Sequence, residues 1–295
     1  NLELYVEGIT QFGDGSSPED IAIYKDDFQN EYIYITDSGV KGVYRIDLGN
    51  KGLLKLPDTD KVVFSPKYVD IGVSGLFVYD SITGVIMSPI DKKSNHSNFK
   101  KLVGLEIDDI GGNEYSEMAI LTLNDNVYLV SQQDEAIMRS QGTSSGYSIL
   151  TSLYSDEILK KGNDFFGDNV ASYLISGEGV GVYRLNSSAG RFVNSNISIS
   201  DLKPENGTYT AGYTSGSLDA GFYVFDEMNK RFIRFEKPKE TPGDILHPNE
   251  LFTIKQYTYS GNREGVFTNV KDIVVDASET YMYVLDGTKI WKITL

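Results

Sequence analysis

Acidic residues recur at equivalent places along this 295-residue chain. Asp20, Asp70, Glu117, Asp164 and Asp272 each lead a short apolar segment: DIAIY (20–24), DIGV (70–73), EMAIL (117–121), DFFGDN (164–169) and DIVVD (272–276). A related segment, TAGYT (210–214), has no acid in front. Hard oxygen ligands brought together in this way can hold a cation such as Ca²⁺, the one cofactor this sequence suggests. The competing use is structural, with each carboxylate capping a turn or accepting backbone N–H bonds inside its own repeat.

Other chemistry is sparsely provided. The two histidines, His96 and His247, lie in separate polar loops (SNHSN, 94–98, and LHPNE, 246–250) and read as surface residues. They are too few for a histidine zinc site, and no G-x-S-x-G elbow accompanies them. The absence of cysteine excludes disulfides and thiolate chemistry. DDIGGNEYSE (108–117) lacks the alternating ligand spacing of a calcium loop, because Gly111 and Gly112 fall where ligands belong. It reads as an acidic turn, as does Asp26-Asp27. GEGVGV (177–182) reads as a hairpin turn rather than a phosphate loop.

The elements that must position the acids repeat six times. A strand, a tight turn and a second strand recur as YIYITD/GVYRIDL (32–48), GLFVYD/GVIMSPI (75–90), NVYLVS/EAIMRS (126–140), ASYLIS/GVYRLN (171–186), GFYVFD/RFIRFE (221–236) and YMYVLD/KIWKITL (281–295). Asp37, Asp80, Asp226 and Asp286 close the first strand of four copies, where a short carboxylate can cap the turn. A more variable fourth strand follows: LLKL (53–56), KKLVGL (100–105), YSILTSL (147–153), ISISDL (197–202) and LFTIKQYTY (251–259). Four antiparallel strands at this period, with no helices between them, describe the blade of a β-propeller. Six copies predict six blades in one domain over residues 1–295. The last copy lacks its fourth strand, and LELYVEGI (2–9) precedes the first. Residues 2–9 are therefore expected to join the last blade and close the ring, leaving no exposed sheet edge. The only stretch expected to be helical is about 155–161.

These repeats resemble those of six-bladed propellers of the NHL type. The likeness is carried most clearly by DIVVDASETYMYVLDGTKIWKI (272–293) and DIAIYKDDFQNEYIYITDSGVKGVYRI (20–46). The resemblance implies an architecture; its members bind proteins, RNA, sugars or small substrates. It places the leading acids near one mouth of a central channel. Lactonase-like six-bladed enzymes build a channel site from Glu, Asn and Asp, but no residue here is marked as nucleophile or base.

Composition narrows the partner. A net charge of −15 repels phosphate backbones and anionic lipid, which excludes nucleic acid as an expected partner. No apolar run is long enough to insert into a membrane. Tyr147, Tyr209, Tyr213 and Tyr257, read as loop residues, suggest an adaptable face for protein or glycan; the plainer reading makes them blade rims. The connections 57–70, 141–165, 203–220 and 237–250 are the places expected to carry specificity. The expectation is a non-enzymatic binding or scaffold propeller recognising a protein or glycan through one face. Its setting would be a bacterial surface or envelope protein, extracellular and part of a larger polypeptide or assembly, since the chain opens at Asn1 without Met. The alternative is a calcium-dependent hydrolase or lactonase with Asp20, Asp70, Glu117, Asp164 and Asp272 as its site.

Overall fold

The computed structural model describes residues 2–6, 15–112, 114–121, 125–167, 172–176, 181–186, 191–194, 207–215, 220–236, 252–261 and 264–295. They form six four-stranded antiparallel sheets in a ring, a six-bladed β-propeller. From the innermost strand outward, blade 1 is Pro18–Lys25, Glu31–Asp37, Gly42–Asp47 and Leu53–Lys55. Blade 2 is Pro66–Ile71, Gly75–Asp80, Gly84–Pro89 and Lys100–Glu106. Blade 3 is Glu117–Ile120, Val127–Ser131, Ala136–Ser140 and Thr151–Ser155. Blade 4 is Gly162–Gly167, Ser172–Ser176, Gly181–Asn186 and Arg191–Asn194. Blade 5 is Tyr209–Thr214, Phe222–Asp226, Arg231–Glu236 and Phe252–Thr258. Blade 6 is Val270–Val275, Tyr281–Asp286, Lys289–Thr294 and, from the other end of the chain, Leu2–Val6.

Each innermost strand packs against the next, and Val270–Val275 returns to Pro18–Lys25. The closing strand pairs Leu2 with Ile293, Glu3 with Lys292 and Leu4 with Trp291. Buried Tyr5 sits edge-on to Tyr283 with ring centroids 5.3 Å apart, and its hydroxyl donates to the Leu48 carbonyl of blade 1 at 3.3 Å. The strand is shorter than the expected 2–9, and residues 7–9 lie outside the described residues.

The second strands of blades 2, 3 and 5 are buried at every position, because each is covered on both faces by neighbouring blades. Each blade–blade contact buries its own hydrophobic cluster, for example Tyr34, Leu76 and Val78 between blades 1 and 2, and Tyr173, Phe222 and Val224 between blades 4 and 5. A ring built this way is stabilised chiefly by apolar burial at six interfaces.

The turn aspartates do more than cap their own turns. Fully buried Asp80 accepts the N–H groups of Ile82 and Thr83 on one oxygen and those of Phe64 and Ser65 on the other, at 2.7–2.9 Å. It thus ties the turn to the segment entering the innermost strand. Asp226 and Asp286 repeat the tie to Thr208 and to Phe267 and Asn269. Replacing Asp80 with Asn would set an NH₂ group against two backbone donors. The expected cost is about 2 kcal/mol in urea unfolding, from donors left unpaired; an unchanged midpoint would show the tie to be dispensable.

Four expectations are corrected. The outer strand of blade 4 is Arg191–Asn194, not 197–202, whose residues lie outside the described residues. That of blade 3 is Thr151–Ser155, because residues 142–147 form a small hairpin (Gly142–Thr143 with Gly146–Tyr147) that packs on the outer strand of blade 2. Gly104, at φ +88°, lets the hairpin approach: a Cβ there would lie 2.4 Å from the Tyr147 carbonyl oxygen. The helical stretch is a 3₁₀ turn, Glu157–Lys161, capped by Asp156. Finally, Tyr147, Tyr209, Tyr213 and Tyr257 all belong to strands, and Tyr209 is fully buried. The connection 237–250 and His247 lie outside the described residues.

Candidate functional site

The innermost strands of all six blades surround a central cavity of 320 Å³. Asp20, Asp70, Glu117, Asp164 and Asp272 all line it, so the structure brings the five sequence-identified acids together. A β-bulge at the start of the innermost strand, between Pro18 and Asp20, Gly162 and Asp164, and Val270 and Asp272, precedes the acid in blades 1, 4 and 6. Such a bulge re-aims the side chain that follows it. Blade 5 carries Ala211 in the place of the acid, paired with Phe225 as Asp272 is with Leu285, and the Oγ1 of Thr210 in its bulge is buried without a hydrogen-bond partner.

The oxygens are committed in a repeating way. One accepts the N–H of the next residue: Ile21 to Asp20, Ile71 to Asp70, Met118 to Glu117 and Ile273 to Asp272, at 2.6–2.9 Å. The other reaches across to the following blade, where Asp20 accepts Val69 N–H at 2.7 Å, Asp70 accepts Ile120 N–H at 2.7 Å and Asp164 accepts Gly212 N–H at 2.6 Å. The acids therefore fasten innermost strand to innermost strand, beyond the single-blade capping that the sequence suggested. At the seam between blades 6 and 1 the pattern changes: Asp272 hydrogen-bonds the Asp20 carboxyl.

Burial dominates their electrostatics. Loss of water pushes Asp20 up to about 6, against the bonds from Asp272, Val69 and Ile21 that favour its charge. Burial likewise pushes Asp70 and Asp164 up to about 7. Glu117 and Asp272 are driven well above the carboxylate range, first by burial and then by the negative field of Asp20 and Asp164. Of the pair, Asp272 is the one raised by the shared hydrogen bond and Asp20 the one lowered, which makes Asp272 the hydrogen-bond donor. Tyr68 and Tyr213, which the sequence did not single out for this site, face the same field and are pushed up too, burial again leading. At the mouth, Lys271 and Lys67 pair with Glu19 at 3.1 and 3.4 Å. Burial would raise Glu19, but the Ser38 hydroxyl and the two ammonium groups outweigh it and hold it below its usual range.

Among the described residues no three His, Asp or Glu side chains are arranged to hold a metal ion. Asp20 and Asp70 have both oxygens on backbone N–H donors, so they are committed to the backbone rather than turned to a shared point in the cavity.

The remaining candidates are placed as follows. Asp26 is buried and accepts from Phe28 and Asn30 N–H and from the Ser94 hydroxyl of blade 2, which makes it a bridge between blades. Residues 108–112 form a turn ahead of Glu117–Ile120, and Asn113 lies outside the described residues. His96, expected at the surface, is half-buried between blades 1 and 2: the Tyr34 hydroxyl lies 2.8 Å from Nε2 and the Ser88 hydroxyl 3.1 Å from Nδ1. Ser88 donates to the Ser97 carbonyl, so it accepts from Nδ1–H, and Nε2 accepts from Tyr34. Burial, aided by nearby Arg45, lowers His96 to about 4. The fold therefore favours neutral imidazole; this contribution is complete above about pH 6.5 and is lost as pH falls through about 4. His96→Ala is expected to cost about 1–2 kcal/mol at pH 7, because the buried Tyr34 hydroxyl loses its acceptor while Ser88 keeps the Ser97 carbonyl, and less at pH 4. An equal cost at both pH values would refute the neutral-imidazole assignment.

No family model and no curated protein matches the sequence. Solved structures match it as propellers at low identity. One is a protein of unknown function from Bacteroides thetaiotaomicron (TM-score 0.64, 12% identity, covering 100% of this chain and 75% of the other). Another is an auxiliary nutrient-binding protein from Bacteroides ovatus (TM-score 0.62, 12% identity, 99% and 76% covered). A third is a luciferin-regenerating enzyme (TM-score 0.61, 12% identity, 100% and 95% covered). At this identity the likeness is one of fold, and the functions it spans are mixed.

Proposed function

We propose that this chain is a non-enzymatic binding propeller whose channel acids fasten the ring and whose work is done outside the channel. The observation that carries the reading is the use of the acid oxygens. Asp20, Asp70 and Asp164 each spend one oxygen on a backbone N–H of the next blade, an arrangement that builds a scaffold rather than presenting a base to a substrate. The partner is a protein or glycan, since the net charge of −15 disfavours polyanions. Exposed apolar side chains stand on both faces of the ring, Phe64 and Ile82 of blade 2 and Met228 of blade 5 (63% accessible) on the face of the turn aspartates and Phe28 and Val73 on the other, and such residues are available to a partner. The Bacteroides neighbour described as nutrient-binding accords with a role at a bacterial surface or envelope. No helix of the described residues is long and apolar enough to cross a membrane.

The alternative is a Ca²⁺-dependent hydrolase or lactonase, favoured by five carboxyl groups on one cavity. One experiment separates them. Lactone, ester and phosphate-ester substrates are assayed with Ca²⁺ and with chelator, alongside melting under both conditions. Neither turnover nor a melting shift is expected. Turnover that needs Ca²⁺ and disappears in Asp164→Asn overturns the binding reading.

A further inference from the structure

A second cavity, of 550 Å³, lies between the outer strands of blades 5 and 6. Among the described residues that line it, none is charged, in a chain of which 23% of residues are. What lines it is an amide (Gln256), three hydroxyls (Thr258, Ser260, Thr294) and the rings of Tyr257 and Tyr259, over a base of buried Phe232, Phe267 and Ile293. Among the described lining residues no Lys or Arg is offered to a phosphate or carboxylate, the Lys255 ammonium lying 4.5 Å from the Tyr257 ring centroid. Nor does an Asp or Glu among them serve a cation. Hydroxyl and amide groups beside aromatic faces suit a ligand that is itself neutral, rich in hydroxyls and faced with C–H groups.

The amide is built in, not incidental. Gln256 Oε1 accepts from Arg231 Nη1 at 2.8 Å, and Arg231 is 1% exposed and held in turn by Asp226 through Nε at 2.8 Å. A buried ion pair thus fixes which end of the amide faces inward to the protein. It leaves the Nε2 hydrogens as donors toward the cavity. The volume falls within the range of small-molecule sites.

We propose that this cleft binds a neutral saccharide through Gln256 Nε2 and the Tyr257 and Tyr259 rings. The inference rests on the reading of the chain as a binding propeller and names the ligand and the place. The probes are maltotriose, cellotriose, mannotriose and xylotriose, with trigalacturonate as the charged control, measured by calorimetry and saturation-transfer NMR. At least one neutral trisaccharide is expected to bind, and trigalacturonate is not. Gln256→Glu keeps an acceptor for Arg231 and removes the donor. It should melt no lower than the parent yet weaken saccharide binding at least tenfold, and Tyr259→Ala should weaken it similarly. Failure of all four neutral sugars to bind overturns the proposal, as does binding that neither variant alters. Binding lost instead in Phe64→Ser/Ile82→Ser would move the site to the loop face: the cleft would be refuted and the binding propeller would stand. Saccharide turnover that is lost in Asp164→Asn would refute the binding propeller itself.

Discussion

Removal of residues 1–6 is expected to lower the melting temperature by roughly 10–20 °C, in one cooperative transition, at about 2–4 °C per kcal/mol for a chain of this size. The deletion strips the outer strand from Lys289–Thr294 and exposes an unpaired sheet edge. It also empties the place of Tyr5, which is 7% exposed and packed among Ile35, Tyr44 and Tyr283 at the junction of blades 6 and 1. Loss of a buried aromatic side chain alone costs about 3–5 kcal/mol. The exposed Glu3–Lys51 ion pair adds little. Tyr5→Ala in the intact chain separates the two contributions and should account for about half of the loss. A deletion that only frays blade 6, with the other blades melting as before, would mean that the ring does not depend on its closing strand. Calorimetry and far-ultraviolet dichroism on the same sample distinguish these results.

The second large effect is pH dependence. Asp70 and Asp164, at about 7, and Asp20, at about 6, bind protons more tightly in the folded ring than the ordinary carboxylate of an unfolded chain does. Glu117 and Asp272 do so more strongly still. Groups raised in this way contribute stability that is complete below about pH 4 and is lost as pH rises through the folded values. The ring should therefore lose several kcal/mol between pH 5 and pH 8, each tenfold gain in proton affinity on folding being worth about 1.4 kcal/mol. His96 works in the opposite direction below pH 6.5 but is one group against five. Asp272→Asn tests the cause. Its Oδ1 can still accept from Ile273 N–H, while its Nδ2 donates permanently to Asp20, replacing the shared proton. The variant is expected to match the parent at pH 5 and to melt about 5 °C higher at pH 8, a gain of about 2 kcal/mol. A parent whose melting temperature is flat from pH 5 to 8 would show that the acids are not held protonated. Equal slopes in parent and variant would place the titration elsewhere.

The blades could be read from the sequence because their signals are local. Apolar runs such as GLFVYD and YMYVLD, each ended by Asp, are strand and turn within a dozen residues. The five acids could be located for the same reason, since each leads its apolar segment. Their bonds were not legible. Val69 N–H lies 49 residues from Asp20 and Ile120 N–H lies 50 from Asp70, and any residue but proline supplies such a donor, so no residue type announces the partner. His96 was misjudged on similar grounds: SNHSN looks solvated until Tyr34, 62 residues earlier, is folded against it. The outer strand of blade 3 falls four residues from its expected start because that edge buries little and so carries a weak pattern; Thr151–Ser155 has no fully buried position.

Ring closure by Leu2–Val6 also sets an order of events during synthesis. Of the strands in this ring, the first to leave the ribosome is among the last to find its place, because Lys289–Thr294 must emerge before it can pair. Until then blades 1 to 5 can stack progressively, each on the one before, while residues 2–6 trail as an unpaired β-forming segment. Contacts between positions so far apart in sequence are entropically slow to form, and an unpaired edge is the species most prone to associate with another copy. The vulnerable period is thus the whole time of the ring's translation, and yield on expression should depend on how quickly the last blade is completed.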